Sequence, residues 1–297
     1  MTLPHSVFAQ DDVPRTTIYV AGPENNPTLT QHMTGLLAKA LGQGVSLRPF
    51  ESGQTSQDSD SLAITLGPEA FTQVRQESRS VPILALMVDS AFIEGYFGRS
   101  EGRVGAVLYS PPLIRQVAAG KAILPHATHV AMLATPESVE LYEGLMDQLA
   151  DLGMEGRVFI VSQNDNLIPT LIRALGYGDF LLAAPDSDIY NPRTIKHVLL
   201  TTYRRNRIVI GPSRAYVRAG ALASNYAPLK NIADEAAQQV AGYQQAGRFP
   251  APSYPDTFKL EINRQVARSL NIPLPTEEEL RAAIELRLSS LRESNDE

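Results

Sequence analysis

Short apolar runs alternate with amphipathic segments along most of this chain. Runs such as Thr16–Ala21 and 81–88 contain few polar residues and end at Gly, Pro, Asp or Ser, which is typical of buried parallel strands. Between such runs, segments such as 29–41 carry apolar side chains at helical spacing and end at a glycine. This alternation predicts an α/β fold in which a parallel sheet is covered by helices on both faces.

The alternation starts again after Pro125. Strands are expected at 129–133, 158–161, 180–184 and 207–211, and helices at 139–152, at 167–175 and after Asn191-Pro192. A strand at Lys259–Ile262 and a charged amphipathic helix near the carboxyl terminus, with Thr276 and Glu279 forming a capping box, complete the pattern. Two series of this kind predict two doubly wound, Rossmann-like lobes with a central cleft.

Composition narrows the classes of function. The chain has 297 residues, 43% hydrophobic and 20% charged, with a net charge of −6, so it is long enough for about two globular domains. The absence of cysteine excludes disulfides, zinc–thiolate sites and thiol nucleophiles. Basic residues are scattered, which argues against nucleic acid as a partner. The densest basic cluster, at 204–207, is interpreted as a solvated helix end.

No strong catalytic signature is present. The chain lacks a P-loop, a G-x-S-x-G elbow, an H-E-x-x-H pair and a dinucleotide fingerprint. His126 and His129 are three residues apart, but no third metal ligand accompanies them in the sequence. No apolar stretch reaches the ~18 residues of a membrane span. We therefore expect no catalytic residue, no metal, no cofactor and no insertion into a membrane.

The candidate functional residues lie instead in loops that follow the predicted strands, because ligands of open α/β sheets bind beyond the carboxyl ends of the strands. Aspartates there could accept from an ammonium group, serines could hold a carboxylate, and tyrosines could pack on a ring. The alternative for each Ser, Thr or Asp is simple helix N-capping. The predicted ligand-binding residues are Gly22, Thr65, Asp89, Ser90, Tyr109, Ser110, Asp186, Asp188, Tyr190, Ser213 and Arg214; Thr135, Ser162, Gln163, Asn164 and Tyr216 belong to the same set of loops.

Three stretches carry a family resemblance. They read SPPLIRQ at 110–116 with ILP at 123–125, GPSRAYVRAGALA at 211–223, and INRQVARSLNIP at 262–273. They resemble the ABC-transporter substrate-binding proteins of the aromatic-amino-acid-binding type, over roughly the whole chain after residue 15. The resemblance implies a type I periplasmic binding protein architecture. Three loops depart from the family pattern, at 67–69, 89–90 and 186–189, so the family's ligand chemistry is not carried over.

The resemblance also implies how the chain is divided. By analogy with two-lobed sugar-binding proteins, we expect residues 16–125 plus 221–248 in lobe 1 and residues 126–220 plus 249–297 in lobe 2, with a hinge crossing at 217–224. Residues 1–15 end like a secretory signal peptide, with Val7 and Ala9 as the small residues before a polar start. The alternative is an ordinary frayed terminus, and the family resemblance favours a disordered signal-peptide remnant over 1–15 and hence a periplasmic location.

The predicted function is capture of a small polar or aromatic molecule, amino-acid-like, between two lobes that close on it. The loaded protein would be presented to an ABC permease. The alternative is a periplasmic sensor that signals ligand occupancy to a membrane-bound receptor without transport. A two-lobed enzyme is disfavoured because no nucleotide or cofactor fingerprint is present. A repressor core is disfavoured because only about fifteen residues precede the first strand, too few for a DNA-binding module.

Overall fold

A computed structural model describes residues 16–51, 61–162 and 166–295. These residues divide into two compact units. Unit 1 contains the described residues up to Tyr109 together with Leu229–Pro255, and unit 2 contains Ser110–Pro228 together with the described residues from Asp256 onward. The predictions made for residues 1–15, Gln163 and Asn164 lie outside the described residues.

Unit 1 is built on a parallel five-stranded sheet. Its strands are β1 (Thr16–Ala21), β2 (Val45–Pro49), β3 (Leu62–Leu66), β4 (Ile83–Val88) and β5 (Val104–Leu108), in the order β2-β1-β3-β4-β5. Its helices are α1 (Pro27–Leu41), α2 (Pro68–Glu77), α3 (Ser90–Phe97) and α9 (Leu229–Ala246). Every residue of β3 and β5 is buried, which explains their continuous apolar sequences.

Unit 2 is built on a six-stranded sheet. Its strands are β6 (His129–Ala134), β7 (Glu155–Ile160), β8 (Phe180–Leu182), β9 (Ile208–Ile210), β10 (Ala223–Tyr226) and β11 (Lys259–Ile262). The order is β11-β10-β9-β8-β6-β7, and only β11 runs antiparallel to its neighbour. Its helices are α4 (Leu113–Ile123), α5 (Glu143–Met146), α6 (Leu167–Tyr177), α7 (Ile195–Arg204), α8 (Arg214–Ala219), α10 (Arg264–Ser269) and α11 (Glu277–Asn295).

Alternate residues of the unit 2 strands face two different helix layers. Met132 and Leu182 lie in one buried cluster with α4 and α11, whereas Leu133 and Leu181 lie in a second cluster with α6 and α7. This is the period-two alternation expected of a strand that is buried on both faces. The predicted doubly wound α/β arrangement is therefore confirmed for each unit.

One predicted helix is broken. The segment predicted as a single helix over 139–152 forms a 3₁₀ turn at Val139–Tyr142, the short helix α5, and a second 3₁₀ turn at Ala150–Leu152. The buried residues Tyr142, Leu145 and Leu149 still recur every three or four positions. The spacing of apolar residues therefore predicted the buried face correctly. It did not predict the break, which Gly144 favours because glycine destabilises a continuous helix.

The capping box predicted at the start of α11 is confirmed. The backbone N–H of Glu279 donates to the Thr276 hydroxyl at 3.2 Å, and the Glu279 carboxylate accepts from the Thr276 backbone N–H at 2.8 Å. That backbone hydrogen bond, helped by one from the Thr276 hydroxyl, lowers the pKa of Glu279. The reciprocal bonds satisfy two backbone donors at the helix end.

The division into units differs from the predicted lobes in three places. Residues 249–255 lie in unit 1 rather than in lobe 2, because the backbone of Ser253 hydrogen-bonds to β5 at Ala106 and Leu108. Residues 110–125 and 221–228 both lie in unit 2, although the sequence favoured lobe 1 for them. The physical reason is a set of buried bonds between the two segments. The Gln116 side chain donates to the Asn225 carbonyl at 2.7 Å and accepts from the Asn225 N–H at 2.9 Å, and the Asn225 side chain donates to the Arg115 carbonyl at 2.9 Å.

The predicted hinge crossing at 217–224 is wrong. Residues 214–219 form α8, and 223–226 form β10, which pairs with β9 on one side and β11 on the other. Ala221, Leu222 and Ala223 are fully buried. Small apolar residues there serve packing inside unit 2, and the chain passes into unit 1 after Pro228.

Gly120 offers a test of the packing beneath this sheet. A Cβ at Gly120 in α4 would lie 2.6 Å from the ring of Phe180, which has no exposed surface. We expect Gly120→Ala to destabilise the protein by about 1–3 kcal/mol, as overpacking does. The matched control is Gly35→Ala in α1, where a Cβ would meet no atom within 4 Å apart from the local backbone of the helix, and it should stabilise by about 0.5–1 kcal/mol. Urea unfolding measures both, and a neutral Gly120→Ala would contradict the packing described.

Candidate functional site

A pocket lies at the carboxyl edge of the unit 2 sheet. β6, β7 and β8 are parallel, so the loops that follow them meet at one edge, where open α/β sheets bind ligands. The pocket has a volume of about 550 Å³ and is called the carboxyl-edge pocket below. Its lining residues are Thr135, Pro136, Glu137, Val161, Ser162, Leu167, Asp188, Ile189, Asn191, Arg193 and Thr194.

Asp186 shapes the loop on one side of this pocket. It is buried, and its Oδ1 accepts from the backbone N–H groups of Asp188 at 2.8 Å and Ile189 at 3.2 Å. Its Oδ2 accepts from the hydroxyl of Ser138, which belongs to the loop after β6. Asp186 therefore ties two loops together, and its carboxylate is occupied by internal bonds rather than presented to a ligand.

Arg193 is placed by a second set of local bonds. The side-chain oxygen of Asn191 accepts from the backbone N–H groups of Arg193 at 2.9 Å and Thr194 at 3.3 Å. The Thr194 hydroxyl donates to the Ile189 carbonyl at 2.6 Å and accepts from the Asn191 N–H at 3.0 Å. These bonds hold the segment in a turn, so that α7 begins at Ile195 and Arg193 remains in the loop at the pocket.

Three charged side chains remain available in the carboxyl-edge pocket. Glu137, Asp188 and Arg193 are exposed, and none of them forms an ion pair with another described residue. Val161, Leu167 and Ile189 supply an apolar wall. Carboxylates can accept from an ammonium group and a guanidinium can hold a carboxylate through two parallel bonds, so the set is suited to a zwitterion with an apolar body.

The predicted tyrosine wall lies deeper than expected. Tyr190 is only 5% exposed and belongs to the core beneath α6 and α7, and its hydroxyl has no hydrogen-bond partner among the described residues. Burial, with smaller contributions from Tyr142, Tyr216 and Asp186, raises the pKa of Tyr190. Tyr216 donates from its hydroxyl to the Tyr190 carbonyl at 3.1 Å. Both rings therefore support the loop from behind, and neither lines the carboxyl-edge pocket.

Three other predicted residues of unit 2 lie away from the carboxyl-edge pocket. Ser110 is half-buried and precedes α4. Ser213 occupies the N-cap position of α8 without making a side-chain cap bond. Arg214 forms an ion pair with Glu261 at 3.4 Å, half exposed to solvent. Of these predicted residues, the structure places Asp188 at the carboxyl-edge pocket and places Ser213 and Arg214 elsewhere.

The predicted residues of unit 1 share the carboxyl edge of the unit 1 sheet. Gly22 follows β1, Asp89 and Ser90 follow β4, and Tyr109 follows β5. A Cβ at Gly22 would lie 1.9 Å from the Thr30 hydroxyl oxygen, so the close approach of α1 alone explains this glycine. Asp89 and Ser90 are exposed, and Tyr109 is 42% exposed.

Thr65 stands out at this edge of unit 1. It has no exposed surface, yet its hydroxyl finds no hydrogen-bond partner among the described residues. It lies two residues before Gly67, the N-cap of α2, whose backbone takes a positive φ of 88° and offers no side-chain cap. Free N–H groups of a helix N-terminus attract anions, which keeps the start of α2 among the candidates of unit 1, although the Thr65 side chain itself is closed to solvent.

The end of β4 is strained. Met87 has a positive φ of 59°, and the pairing of β4 with β5 shifts register between Leu86 and Val88. A non-glycine residue in this region costs about 1–3 kcal/mol, and strain of this kind clusters at functional sites. The irregularity immediately precedes Asp89, which keeps Asp89 among the candidate residues of unit 1.

A second pocket of unit 2, about 400 Å³, lies at the opposite, amino edge of the same sheet. It is lined in part by Ile123, Ile208 and Ile272, with Asp179 and Arg207 beside them. Burial opposes ionisation of Asp179, but hydrogen bonds from the backbone N–H groups of Thr128 and His129, with the charge of Arg207, lower its pKa overall. Asp179 thereby joins the beginnings of β6 and β8.

Sequence reasoning missed Glu137 and Arg193. Glu137 follows Thr135, which was identified as a residue after β6, so the signal was present two positions away. Arg193 was assigned to the first turn of a helix because Asn191-Pro192 is a common helix start. The side-chain bonds of Asn191 and Thr194 delay that helix by one turn, and nothing in the apolar pattern reports such bonds.

The fold matches solved structures over nearly the whole chain. The ligand-free, open structure of CD0873, a substrate-binding protein with adhesive properties from Clostridium difficile, superposes with a TM-score of 0.73 at 14% identity, covering 89% of this chain and 97% of that one. The ABC domain from Streptococcus pneumoniae in complex with L-Trp gives a TM-score of 0.59 at 15% identity, with 88% and 96% covered. This chain has the type I periplasmic binding protein fold.

A conserved domain protein from Vibrio cholerae shares this type I periplasmic binding protein fold with the chain, at a TM-score of 0.59, 17% identity and coverage of 92% and 98%. No protein-family model and no curated protein sequence matches the chain. At such low identities the likeness establishes the fold and not the ligand. The predicted family architecture is thus confirmed, while the ligand must be argued from the pockets of this chain.

No helix among the described residues has the length and apolar character needed to cross a membrane. Within the same part of the chain, no group of three or more His, Cys, Asp or Glu side chains is placed to hold a metal ion.

Proposed function

We propose that this protein is an extracytoplasmic solute-binding protein that captures a small zwitterion resembling an amino acid and presents it to an ABC permease. The ligand-binding residues proposed for unit 2 are Asp188, Glu137 and Arg193. Unit 1 has candidates of its own in Thr65, the start of α2 and Asp89. The proposal rests on binding and includes no catalytic step.

The observation that carries the proposal is the charge arrangement in the carboxyl-edge pocket. Asp188 and Arg193 have opposite charges, neither is neutralised by another described residue, and apolar side chains of Val161 and Ile189 lie in the same pocket. Hydrogen bonds fix the loops of this pocket, but they leave these two charges unpaired. Such charges are suited to bind a charged ligand. The fold and the L-Trp complex of one similar protein are consistent with this ligand class.

A sensor that reports ligand occupancy to a membrane receptor would use the same pocket. A sensor and a transport protein differ in the membrane partner that recognises the loaded protein, so ligand-binding measurements cannot distinguish them. Neighbouring genes encoding a permease and an ATPase would favour transport, whereas a neighbouring sensor gene would favour signalling.

A thermal-shift panel tests the proposed ligand class. We expect one or more α-amino acids, aromatic ones first, to raise the melting temperature, because a ligand at 100 times its Kd stabilises by about 2.7 kcal/mol. The matched controls are the corresponding amine and carboxylic acid, each lacking one of the two charges, which should give little shift. If no amino acid at millimolar concentration changes the melting temperature, the proposed ligand class is wrong.

A further inference from the structure

The helices on one face of the unit 2 sheet carry no negative charge. Neither α6, α7 nor α8 contains an Asp or a Glu, and the chain has no acidic residue between Asp188 and Asp234, although its net charge is −6. The opposite face is different, since α11 begins with three consecutive glutamates. The acidic residues in the described helices of unit 2 are therefore confined to one face of the sheet, although α4 and α10 on that face are basic.

The exposed side of α7 combines basic and apolar side chains. Lys196, Leu200, Tyr203 and Arg204 recur at spacings of three, four and eight residues, so they share one face of the helix. Leu200 is 41% exposed and Tyr203 is 43% exposed, and both cations are exposed as well. The buried residues of the same helix, Val198, Leu199 and Thr202, lie on its other side.

The neighbouring helix extends the basic surface. α8 packs beside α7 and carries Arg214 and Arg218 one turn apart, both exposed. Of the basic residues of α7 and α8, only Arg214 forms an ion pair with another described residue, namely Glu261 at 3.4 Å. Lys196, Arg204 and Arg218 have no such partner in that part of the chain. The α7–α8 surface, defined as Lys196, Leu200, Tyr203, Arg204 and Arg218, thus presents charges that no internal partner explains.

We propose that the α7–α8 surface binds the headgroup region of an anionic lipid bilayer. Long basic side chains beside a leucine and a tyrosine are the residue set that lies at membrane interfaces, where the cations meet lipid phosphates and the apolar groups enter the acyl boundary. An acidic protein partner would call for cations held in fixed positions, whereas Lys196 and Arg204 are exposed and unrestrained by ion pairs. Solvent-exposed cations of this kind suit a fluid anionic surface.

Vesicle co-sedimentation of the full chain tests this proposal. The probes are phosphatidylcholine vesicles with and without phosphatidylglycerol, at low and high salt. We expect binding only to the anionic vesicles, weakened by salt. Replacing Lys196 and Arg204 by glutamine should weaken binding about 25-fold, since each cation near an anionic surface contributes about 1 kcal/mol, or about fivefold.

Matched variants make the test specific. Lys39→Gln combined with Arg281→Gln removes the same charge from exposed sites elsewhere and should leave binding almost unchanged. Leu200→Ser should weaken binding, whereas Leu286→Ser, at a leucine that is 71% exposed on α11, should not. Equal binding to neutral vesicles, equal losses in the control variants, or binding to soluble polyglutamate that Leu200→Ser leaves intact would each overturn the proposal, the last in favour of an acidic protein partner.

Discussion

The Gln116→Leu variant is expected to lose about 1–3 kcal/mol of stability, because the buried backbone N–H of Asn225, which donates to the Gln116 side chain, is left without a partner. The Asn225 carbonyl also loses its bond from Gln116 but keeps one from the Ser224 hydroxyl at 3.1 Å. β10 pairs with β9 only at Ala223. Beyond that point the Gln116 amide takes the place of a neighbouring strand, and leucine cannot do so.

The matched control for this variant is Gln244→Leu. Gln244 is exposed and makes one side-chain bond, 3.3 Å long, to the Thr16 hydroxyl, so its loss should change stability by less than about 0.5 kcal/mol. Guanidinium unfolding followed by far-UV circular dichroism measures both variants. A loss below 1 kcal/mol for Gln116→Leu would mean that water or a rearranged strand satisfies Asn225.

Gln116 also shows what sequence reasoning could reach. The motif at 110–116 was correctly linked to a fold, and the apolar runs located most strands to within a few residues. The motif was nevertheless assigned to lobe 1, whereas it lies in unit 2. The reason is that Gln116 bonds to a strand residue 109 positions away in the sequence, and a contact of this kind does not change the spacing of apolar residues. Long-range partners of polar side chains are invisible to apolar patterning.

The candidate site was predictable to a similar extent. The rule that ligands bind beyond strand ends brought Asp188, Thr135 and Ser162 to one pocket. It could not separate Asp186, whose carboxylate is consumed by loop bonds, from Asp188, whose carboxylate is not. It also placed Tyr190 at a surface when the ring belongs to the core. Whether a loop side chain bonds internally, enters the core or faces the pocket depends on its orientation, which the sequence pattern does not report.

The Asp188→Ala variant is expected to weaken amino-acid binding about 10- to 100-fold, because a hydrogen bond to a charged group contributes about 1.5–3 kcal/mol. The fold should survive, since only the backbone N–H of Asp188 and its carbonyl make bonds within the loop. Titration calorimetry with the amino acid that gives the largest thermal shift measures the change. Unfolding experiments on the same variant should show little loss of stability.

Asp147→Ala is the matched control for this variant. Asp147 is an exposed carboxylate of unit 2 at the end of α5 and takes no part in the carboxyl-edge pocket, so its removal should leave the affinity unchanged. An unchanged affinity in Asp188→Ala would remove this carboxylate from the site. An equal loss in both variants would indicate a general effect of net charge rather than a contact with the ligand.

Methyl NMR shows directly whether the ligand occupies the carboxyl edge of the unit 2 sheet. Val161, Leu167 and Ile189 report on the carboxyl-edge pocket, while Ile123, Ile208 and Ile272 report on the pocket at the opposite edge of the same sheet. Titrating the amino acid into methyl-labelled protein should shift the first three resonances and leave the second three in place. Shifts confined to the second set, or an absence of shifts in both sets at saturating ligand, would contradict the account.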